Sequence, residues 1–227
     1  MHASTPAGRF SQAQRRLWDI SPPVAAGSPV FPGDTAFSLC WSATLSAECP
    51  VYVSTLTLSP HTGAHADAPL HYSAGGAAVG ALDLAPFLGP CRVIHAIGCG
   101  PLVRWQHLAH ALADLAQLPP RVLVRTYARA PTGWDADLAG FDPDTVARLA
   151  DAGVLLIGID TASIDPAASK TLPSHQVIRQ RQLRVLENLV LDAVPEGDYE
   201  LIALPLKLTT ADASPVRAVL RELELQR

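Results

Sequence analysis

The sequence has few charged residues, few aromatic residues and no extended basic or apolar run. Of its 227 residues, 17% are charged and 6% are aromatic, and the formal net charge is -4. Proteins that bind nucleic acids present clustered lysine and arginine, so we expect no nucleic-acid partner. The longest apolar stretches, such as residues 154–159, are far shorter than the roughly 20 residues of a membrane-spanning helix. We therefore expect no membrane association.

Cysteine is also scarce, and none of the four cysteines belongs to a CxxC pair. The first sixteen residues are polar and lack the apolar segment of a secretory signal. These two features are typical of reduced thiols in a cytoplasmic protein, which is the location we predict. We further predict that residues 1–14 are a loose N-terminal leader.

Hydrophobic residues make up 48% of the chain, which is enough for one sizeable core. Strand-like and helix-like segments are mixed, without an internal repeat or a dividing linker. We predict a single α/β domain over residues 15–227, with strands near 37–45, 51–58, 91–97, 121–126, 154–159 and 199–204 and helices near 105–118, 143–152 and 176–192.

Residues 61–71 contain three histidines and one aspartate, in a chain with only eight histidines. His61, His65 and Asp67 share one parity, so their side chains would project to the same side of an extended backbone. Pro69 would break a helix there. Two imidazoles and a carboxylate suit Zn²⁺ or Mn²⁺. An isolated buried histidine is more often structural, but this concentration predicts a metal site.

His71 lies beyond Pro69, where we expect the chain to turn. Its imidazole could be a further metal ligand or a free group for proton transfer, because unperturbed histidine titrates near neutral pH. The pattern itself leaves both roles open.

A second pair of candidates is His175 and Glu187. His175 opens the helix predicted over 176–192, on which apolar residues at helical spacing flank Glu187. The Glu187 carboxylate is therefore predicted to point into an apolar stripe. A buried glutamate is costly unless it is paired or binds a metal. Position alone nevertheless leaves Glu187 undecided between a ligand and an ordinary surface residue.

Two loops carry further candidates. Residues 160–165 follow a buried strand, and they are either a catalytic loop or a capped polar turn. Trp18 and Phe31 belong to a Pro-rich segment that we expect to be an exposed loop. Their rings are either core plugs or a lid over an aromatic substrate.

Several motifs resemble the cyclase-like metal hydrolase family, in particular its bacterial arylformamidases. They are WDIS at 18–21, FPGD at 31–34, HxGxHxDxPxH at 61–71, GIDTASIDP at 158–166, LIALPLKL at 201–208 and DASPVRAVLR at 212–221. The resemblance implies a β-rich α/β fold of the swivelling type and a homodimer. Ala162 and Gln176 depart from the family pattern, but neither is a ligand position.

The resemblance also implies a metal centre and a reaction. Two zinc ions per chain, or manganese or another divalent metal, would be held by five residues: His61, His65, Asp67, His175 and Glu187. His71 would be the proton donor and acceptor, and Trp18 would line the substrate pocket. The implied reaction is zinc-dependent hydrolysis of N-formyl-L-kynurenine to L-kynurenine and formate, a step in tryptophan breakdown.

Two alternatives share the metal-binding residues. One is a related hydrolase that opens isatin or another cyclic amide and differs in the pocket near Trp18 and Phe31. The other is a non-catalytic metal-binding or ligand-binding protein. His71 argues against this second alternative, because a storage site has no use for an imidazole that does not ligate.

Overall fold

β-Strands dominate residues 15–224, which are the part of the chain that the computed structural model describes. The leader predicted at residues 1–14 lies outside the described residues. Thirteen strands occur within the described range: β1 (Leu17–Asp19), β2 (Ser38–Ala43), β3 (Val53–Thr57), β4 (His65–Asp67), β5 (Leu88–His95), β6 (Leu102–Val103), β7 (Arg121–Arg125), β8 (Gly140–Phe141), β9 (Leu156–Ile159), β10 (Arg184–Glu187), β11 (Gly197–Ile202), β12 (Ala213–Pro215) and β13 (Val219–Glu222).

Helices are short and fewer. The α-helices of the described residues are α1 (Pro69–Tyr72), α2 (Trp105–Leu108), α3 (Pro143–Asp151) and α4 (Pro173–Arg181). Single 3-10 turns lie at Val79–Ala81, Ala85–Phe87, Ala109–Ala111 and Leu115–Gln117. Within residues 15–224, no helix is long and apolar enough to cross a membrane.

Nine strands form one mixed sheet in the order β1-β13-β11-β5-β7-β9-β10-β4-β12. The central strands β5, β7, β9 and β10 run parallel to one another. The strands on either side of this centre pair antiparallel. The architecture is therefore a sheet-dominated, mixed α/β fold, as predicted.

The central strands are buried on both faces. On β7, Val122 and Val124 belong to one apolar cluster and Leu123 belongs to the other. The cluster of Val122 and Val124 also contains Val146 of α3 and Ile178 of α4, so these helices cover that face of the sheet. Continuous apolar runs are typical of parallel strands covered in this way.

Most of the predicted elements are confirmed. Each predicted strand overlaps an observed one, with ends that differ by a few residues. The helix predicted over 143–152 is α3, and its predicted cap is present because the Asp142 side chain accepts a hydrogen bond from the Asp144 backbone N–H. The helix predicted over 105–118 is wrong after its first turn. The Asp114 carboxylate accepts from the Ala116 backbone N–H and starts a separate turn there.

The helix predicted over 176–192 is wrong beyond residue 181. α4 ends because Gln182 adopts a left-handed backbone conformation, with φ of 57°. The next residues form β10, which pairs with β9 on one side and β4 on the other. Val185 and Leu186 belong to the two opposite apolar clusters, as the two-residue period of a strand requires. Pairing with two neighbouring strands outweighs local helical propensity here.

Strands β2 and β3 form a separate two-stranded sheet whose side chains are almost all exposed. Trp41 and Tyr52 are each 58% exposed, and their ring centroids lie 5.3 Å apart. Isolated two-stranded ribbons are marginally stable in water. An exposed apolar ribbon of this kind is typical of an interaction surface.

A test of this packing is the substitution Gly140→Ala on β8. A Cβ at Gly140 would lie 2.7 Å from the Ile164 carbonyl oxygen and 3.0 Å from the carbonyl carbon of Asp165. Because these atoms are backbone, the neighbouring segment must move, and we expect the free energy of unfolding to fall by about 1–3 kcal/mol. Urea denaturation measures this change.

The matched control is Gly133→Ala. A Cβ at Gly133 would meet nothing within 4 Å, so its effect should stay within about 0.5 kcal/mol. Equal urea midpoints for the two variants would contradict the packing described at Gly140.

Candidate metal centre

The site begins on β4, which lies between β10 and β12 in the sheet. In the antiparallel pair of β4 and β10, His65 stands directly opposite Glu187. Directly opposed residues project to the same face of a sheet. The register therefore brings the His65 Nε2 atom within 3.3 Å of the Glu187 Oε2 atom. Glu187 is buried as predicted, but a strand and not a helix positions it.

His61 reaches the same point from a turn. The extended backbone predicted for residues 61–67 is present only in β4, because Gly63 has a φ of 71° and the chain bends there. After this bend, the His61 Nδ1 atom lies 3.1 Å from the Asp67 Oδ1 atom. The predicted convergence of His61, His65 and Asp67 is present, although the parity of an extended strand is not its cause.

His175 arrives from the first turn of α4, as predicted, and is held by Asp165. The Asp165 carboxylate accepts hydrogen bonds from the backbone N–H groups of Ser174 and His175, at 2.9 and 3.0 Å. It also accepts from the His175 Nδ1 atom at 2.7 Å. The ring of His175 is thereby fixed with its Nε2 atom toward Asp67, at 3.4 Å from Oδ2.

The buried carboxylates of Asp67 and Glu187 each have histidine nitrogens near both of their oxygen atoms. Asp67 Oδ1 faces His61 and His65, at 3.1 and 3.4 Å, while Oδ2 faces His175. Glu187 repeats the pattern, because Oε2 faces His65 at 3.3 Å and Oε1 faces His175 at 3.6 Å. Each carboxylate therefore directs one oxygen toward the His65 side of the cluster and the other oxygen toward the His175 side, which defines two adjacent places where an ion could bind.

The outward nitrogen of each of these histidines has an acceptor. The His65 Nδ1 atom lies 2.9 Å from the Gly63 carbonyl oxygen, and the His61 Nε2 atom lies 3.1 Å from Asp212 Oδ2. A carbonyl or carboxylate oxygen only accepts, so these nitrogens and His175 Nδ1 carry the hydrogens. In the neutral form of each ring, the inward nitrogen then has its lone pair toward the carboxylates, as in histidine ligands of metals.

These residues fit a divalent cation. Lone pairs that face carboxylate oxygens repel them unless positive charge lies between. The His65 Nε2 and Asp67 Oδ1 atoms are buried, and they have no hydrogen-bond partner among the described residues. With bonds of about 2.0–2.2 Å, tetrahedral ligand atoms would stand about 3.3–3.6 Å apart, close to the observed separations. The donors are those preferred by zinc.

The pKa values express the same need for positive charge. Burial by itself lowers the pKa of His61, but the nearby carboxylates of Asp67 and Asp212 raise it to about 9. Burial likewise opposes protonation of His175, and the carboxylates of Asp165 and Asp67 raise its pKa to about 10. Burial raises the pKa of Asp67, yet the surrounding histidines hold it well below its usual range.

His71 stands at the edge of this cluster on α1. Pro69 is the first residue of that short helix and does not break it, because proline is tolerated in a first helical turn. The His71 side chain is 32% exposed, whereas the Asp67 side chain is fully buried. Its Nε2 atom lies 4.0 Å from Asp67 Oδ2, so the His71 ring adjoins the cluster while facing solvent.

An open cavity adjoins the cluster at His61. Phe31 and Trp134 line it and pack edge to face, with ring centroids 5.0 Å apart. Phe31 is 45% exposed and lines this cavity, so it is not a core plug.

Trp18 is buried and does not line this cavity, so its predicted exposure in a loop is wrong and the core alternative describes it. It lies on β1, and its ring packs edge to face on Tyr199 with centroids 5.0 Å apart. Pairing of β1 with β13 makes Trp18 part of the core. A Pro-rich sequence gives no sign of this distant partner.

Two aspartates beside the histidines were not singled out from the sequence. Asp165 lies in the loop at 160–165, where a capped turn and a catalytic role were both open. Asp212 had no individual signal beyond its place in the DASPVRAVLR motif. Both contact histidines that are far away in sequence, and only the folded chain reveals these contacts.

Comparison with known proteins identifies the family. Residues 18–166 match the family described as "Putative cyclase". The chain belongs to this cyclase family. A kynurenine formamidase of Delftia acidovorans is 74% identical over 92% of this chain and 99% of its own length. One of Paracidovorax citrulli is 72% identical over 91% of this chain and 97% of its own length.

Solved structures share the fold. One is described as a potential metal-dependent hydrolase with cyclase activity; it is 28% identical, with a TM-score of 0.78 over 93% of this chain and all of its own. An isatin hydrolase bound to the product analogue thioisatinate has a TM-score of 0.79 at 20% identity, over 92% of both chains. The fold class predicted from the cyclase-family motifs is confirmed.

Metal binding should stabilise the fold, because the ligand atoms of residues far apart in the sequence converge only in the folded chain. For each site, metal at 100 times its dissociation constant adds about 2.7 kcal/mol to the free energy of unfolding. We expect zinc to raise the melting temperature of chelator-treated protein, and calorimetry measures the shift.

His65→Ala is the control, because it removes an inward nitrogen. The shift with zinc should be much smaller in this variant. Identical melting temperatures of treated and zinc-loaded wild type would refute the metal centre.

Proposed function

We propose that this chain is a zinc-dependent amide hydrolase that converts N-formyl-L-kynurenine to L-kynurenine and formate, in tryptophan breakdown. The chain is an amidohydrolase, because kynurenine formamidases are 74% and 72% identical to it and hydrolases share its fold. The observation that carries the substrate assignment is 74% identity to a kynurenine formamidase over 92% of the chain.

The proposed ligands are the five residues of the buried cluster, with two ions per chain: His61, His65, Asp67, His175 and Glu187. The distribution of carboxylate oxygens supports two adjacent positions, because Asp67 and Glu187 each offer one oxygen to either side. Bound there, zinc, or manganese in its place, supplies Lewis acidity at a carbonyl oxygen and lowers the pKa of water towards about 7.

His71 is the proposed catalytic acid and base. Hydrolysis adds a hydroxyl group to the formyl carbon and breaks its bond to the aniline nitrogen. An arylamine leaves poorly as an anion, so that nitrogen must gain a proton as the bond breaks. The Nε2 atom of His71 can take up the proton that the water loses when its hydroxyl adds, and then deliver it to the aniline nitrogen, since its Nδ1 atom is hydrogen-bonded to Asp212 at 3.2 Å. Its partial exposure gives access to substrate.

The cavity beside His61 is the proposed substrate pocket. Phe31 and Trp134 would contact the aromatic ring of the leaving group. Asp135 also lines the cavity, and its carboxylate accepts a hydrogen bond from the Tyr127 hydroxyl at 2.8 Å. This carboxylate would pair with the ammonium group of the amino-acid tail. Phe31 thus takes the role expected of Trp18.

The homodimer and the cytoplasmic location stay predictions. The apolar ribbon of β2 and β3 supports dimerisation, because a second copy would cover side chains such as Trp41 and Leu56. Such a cover would also stabilise a ribbon that lies outside the main sheet.

The division between ligand and proton donor can be tested by comparing His71→Ala with His65→Ala. His71→Ala should keep about two metal ions per chain but lose on the order of 10²–10⁴ in kcat. His65→Ala should lose metal as well, because its nitrogen faces both carboxylates. Elemental analysis and formate release measure the two properties.

The control is wild type treated with chelator and reloaded with zinc, which should recover its rate. If His71→Ala is depleted of metal to the same extent as His65→Ala, then His71 is a ligand. Absence of any restorable metal in wild type would reject the whole proposal.

Substrate choice is tested with N-formylkynurenine and isatin on one preparation. We expect formanilides to be hydrolysed, N-formylkynurenine to be strongly preferred and isatin to be turned over poorly. Phe31→Ala should raise KM about 5- to 30-fold, since an aromatic contact in a pocket contributes about 1–2 kcal/mol.

Trp18→Ala is the matched aromatic control. It should lower the free energy of unfolding by about 3–5 kcal/mol, as core truncations do, and leave KM unchanged at a temperature where the variant is folded. A higher kcat/KM for isatin would overturn the substrate assignment and leave the hydrolase assignment intact. If KM rises in Trp18→Ala and not in Phe31→Ala, then Trp18 and not Phe31 contacts the substrate.

A further inference from the structure

Asp212 lies beside β4, the strand that carries the proposed ligands His65 and Asp67. It immediately precedes β12, and β12 pairs with β4 so that Ala213 stands opposite Asp67. The Asp212 carbonyl oxygen accepts a hydrogen bond from the Ala68 backbone N–H at 2.8 Å. The pairing of Ala213 with Asp67 and the hydrogen bond from Ala68 therefore fix the position of the Asp212 backbone.

One oxygen of Asp212 contacts two histidines of different proposed roles. Asp212 Oδ2 lies 3.1 Å from His61 Nε2 and 3.2 Å from His71 Nδ1. The two imidazole rings are adjacent, with centroids 4.3 Å apart. Because a carboxylate oxygen only accepts, both of these nitrogens must donate to it.

The hydrogen bond at one ring nitrogen decides which form of the ring is present at the other. With hydrogen on Nε2 alone, as in a ring that binds a metal, His61 directs the lone pair of Nδ1 toward Asp67. With hydrogen on Nδ1, His71 keeps Nε2 as the atom that takes up and releases a proton. The two rings thus need opposite tautomers, and one carboxylate selects both of them.

We propose that Asp212 is a positioning residue for the hydrolysis, setting the tautomers of His61 and His71 together. This inference rests on the proposed function. It couples the affinity of the metal centre to the competence of the proton-transfer histidine, because losing one carboxylate disturbs both rings.

Asp212 as a metal ligand is the competing assignment. Ligand atoms of His61, His71 and Asp212 lie within 4.8 Å of one another. The Asp212 side chain, however, is 40% exposed, whereas the Asp67 and Glu187 side chains are at most 3% exposed. Asp212 also contacts the outward nitrogen of His61, just as the Gly63 carbonyl oxygen contacts that of His65 and Asp165 contacts that of His175. Hydrogen bonding therefore explains its position better than ligation.

The test is Asp212→Asn in zinc-loaded protein labelled with ¹⁵N at histidine. In wild type we expect the His71 signals to report hydrogen on Nδ1 and none on Nε2, with His71→Gln providing the assignment. In Asp212→Asn the Nδ1 form should lose its preference and Nε2 should carry the hydrogen in part of the molecules, because the amide can present N–H as well as oxygen to the ring. A wild-type His71 with hydrogen on Nε2 alone would overturn the proposal without any need for the variant.

Metal affinity and rate give two further readouts. Asp212→Asn should still bind about two zinc ions per chain, with about 10- to 100-fold weaker affinity at one site in chelator competition. Its kcat should fall on the order of 10² with little change in KM. Loss of one zinc equivalent outright, at saturating zinc, would make Asp212 a ligand and refute the proposal.

Asp198→Asn is the control, because the Asp198 side chain has a similar exposure of 38% and pairs with Arg92 on the surface. It should leave the His71 signals, the zinc affinity and kcat unchanged. The signals and the zinc affinity need no substrate. If wild type fails to hydrolyse N-formylkynurenine, the proposed function fails, while the assignment of the tautomers is still decided.

Discussion

Two buried carboxylates attract, and require, positive charge between them. This structure depends on that one electrostatic constraint. Asp67 and Glu187 are withdrawn from water, and ionised carboxylates are stable there only beside a cation. Three imidazoles surround them at 3.1–3.6 Å. Without a metal, protons supply the charge, which is why the pKa values of His61 and His175 are raised.

The sheet supplies the rigidity that such a cluster requires. β4 is held between two antiparallel neighbours, so the register fixes His65 opposite Glu187 and Asp67 opposite Ala213. Outside the cluster, Asp165 and Asp212 hold the outward histidine nitrogens. Each inward lone pair is thus oriented by an interaction formed elsewhere in the fold, which lowers the entropy cost of binding a metal.

Burial also separates the proposed roles. The side chains of His65, Asp67, His175 and Glu187 are nearly inaccessible, as suits permanent ligands. His71 is partly exposed beside them, as a group that exchanges protons with substrate must be. The open cavity begins at His61, so an aromatic leaving group in that cavity would lie next to the proposed metal centre and close to His71.

The sequence by itself determined the strand-rich α/β class, helix α3 and most of the residues of the candidate site. Local chemistry was sufficient for this, because apolar periodicity, an aspartate cap and a dense group of histidines are visible within short segments. The tertiary structure alone decided that residues 184–187 form a strand, that Trp18 is core while Phe31 lines the cavity, and that Asp165 and Asp212 orient the histidines. These outcomes depend on partners distant in the chain, since strand pairing and hydrogen bonds across the fold outweigh the weaker preferences of the local sequence.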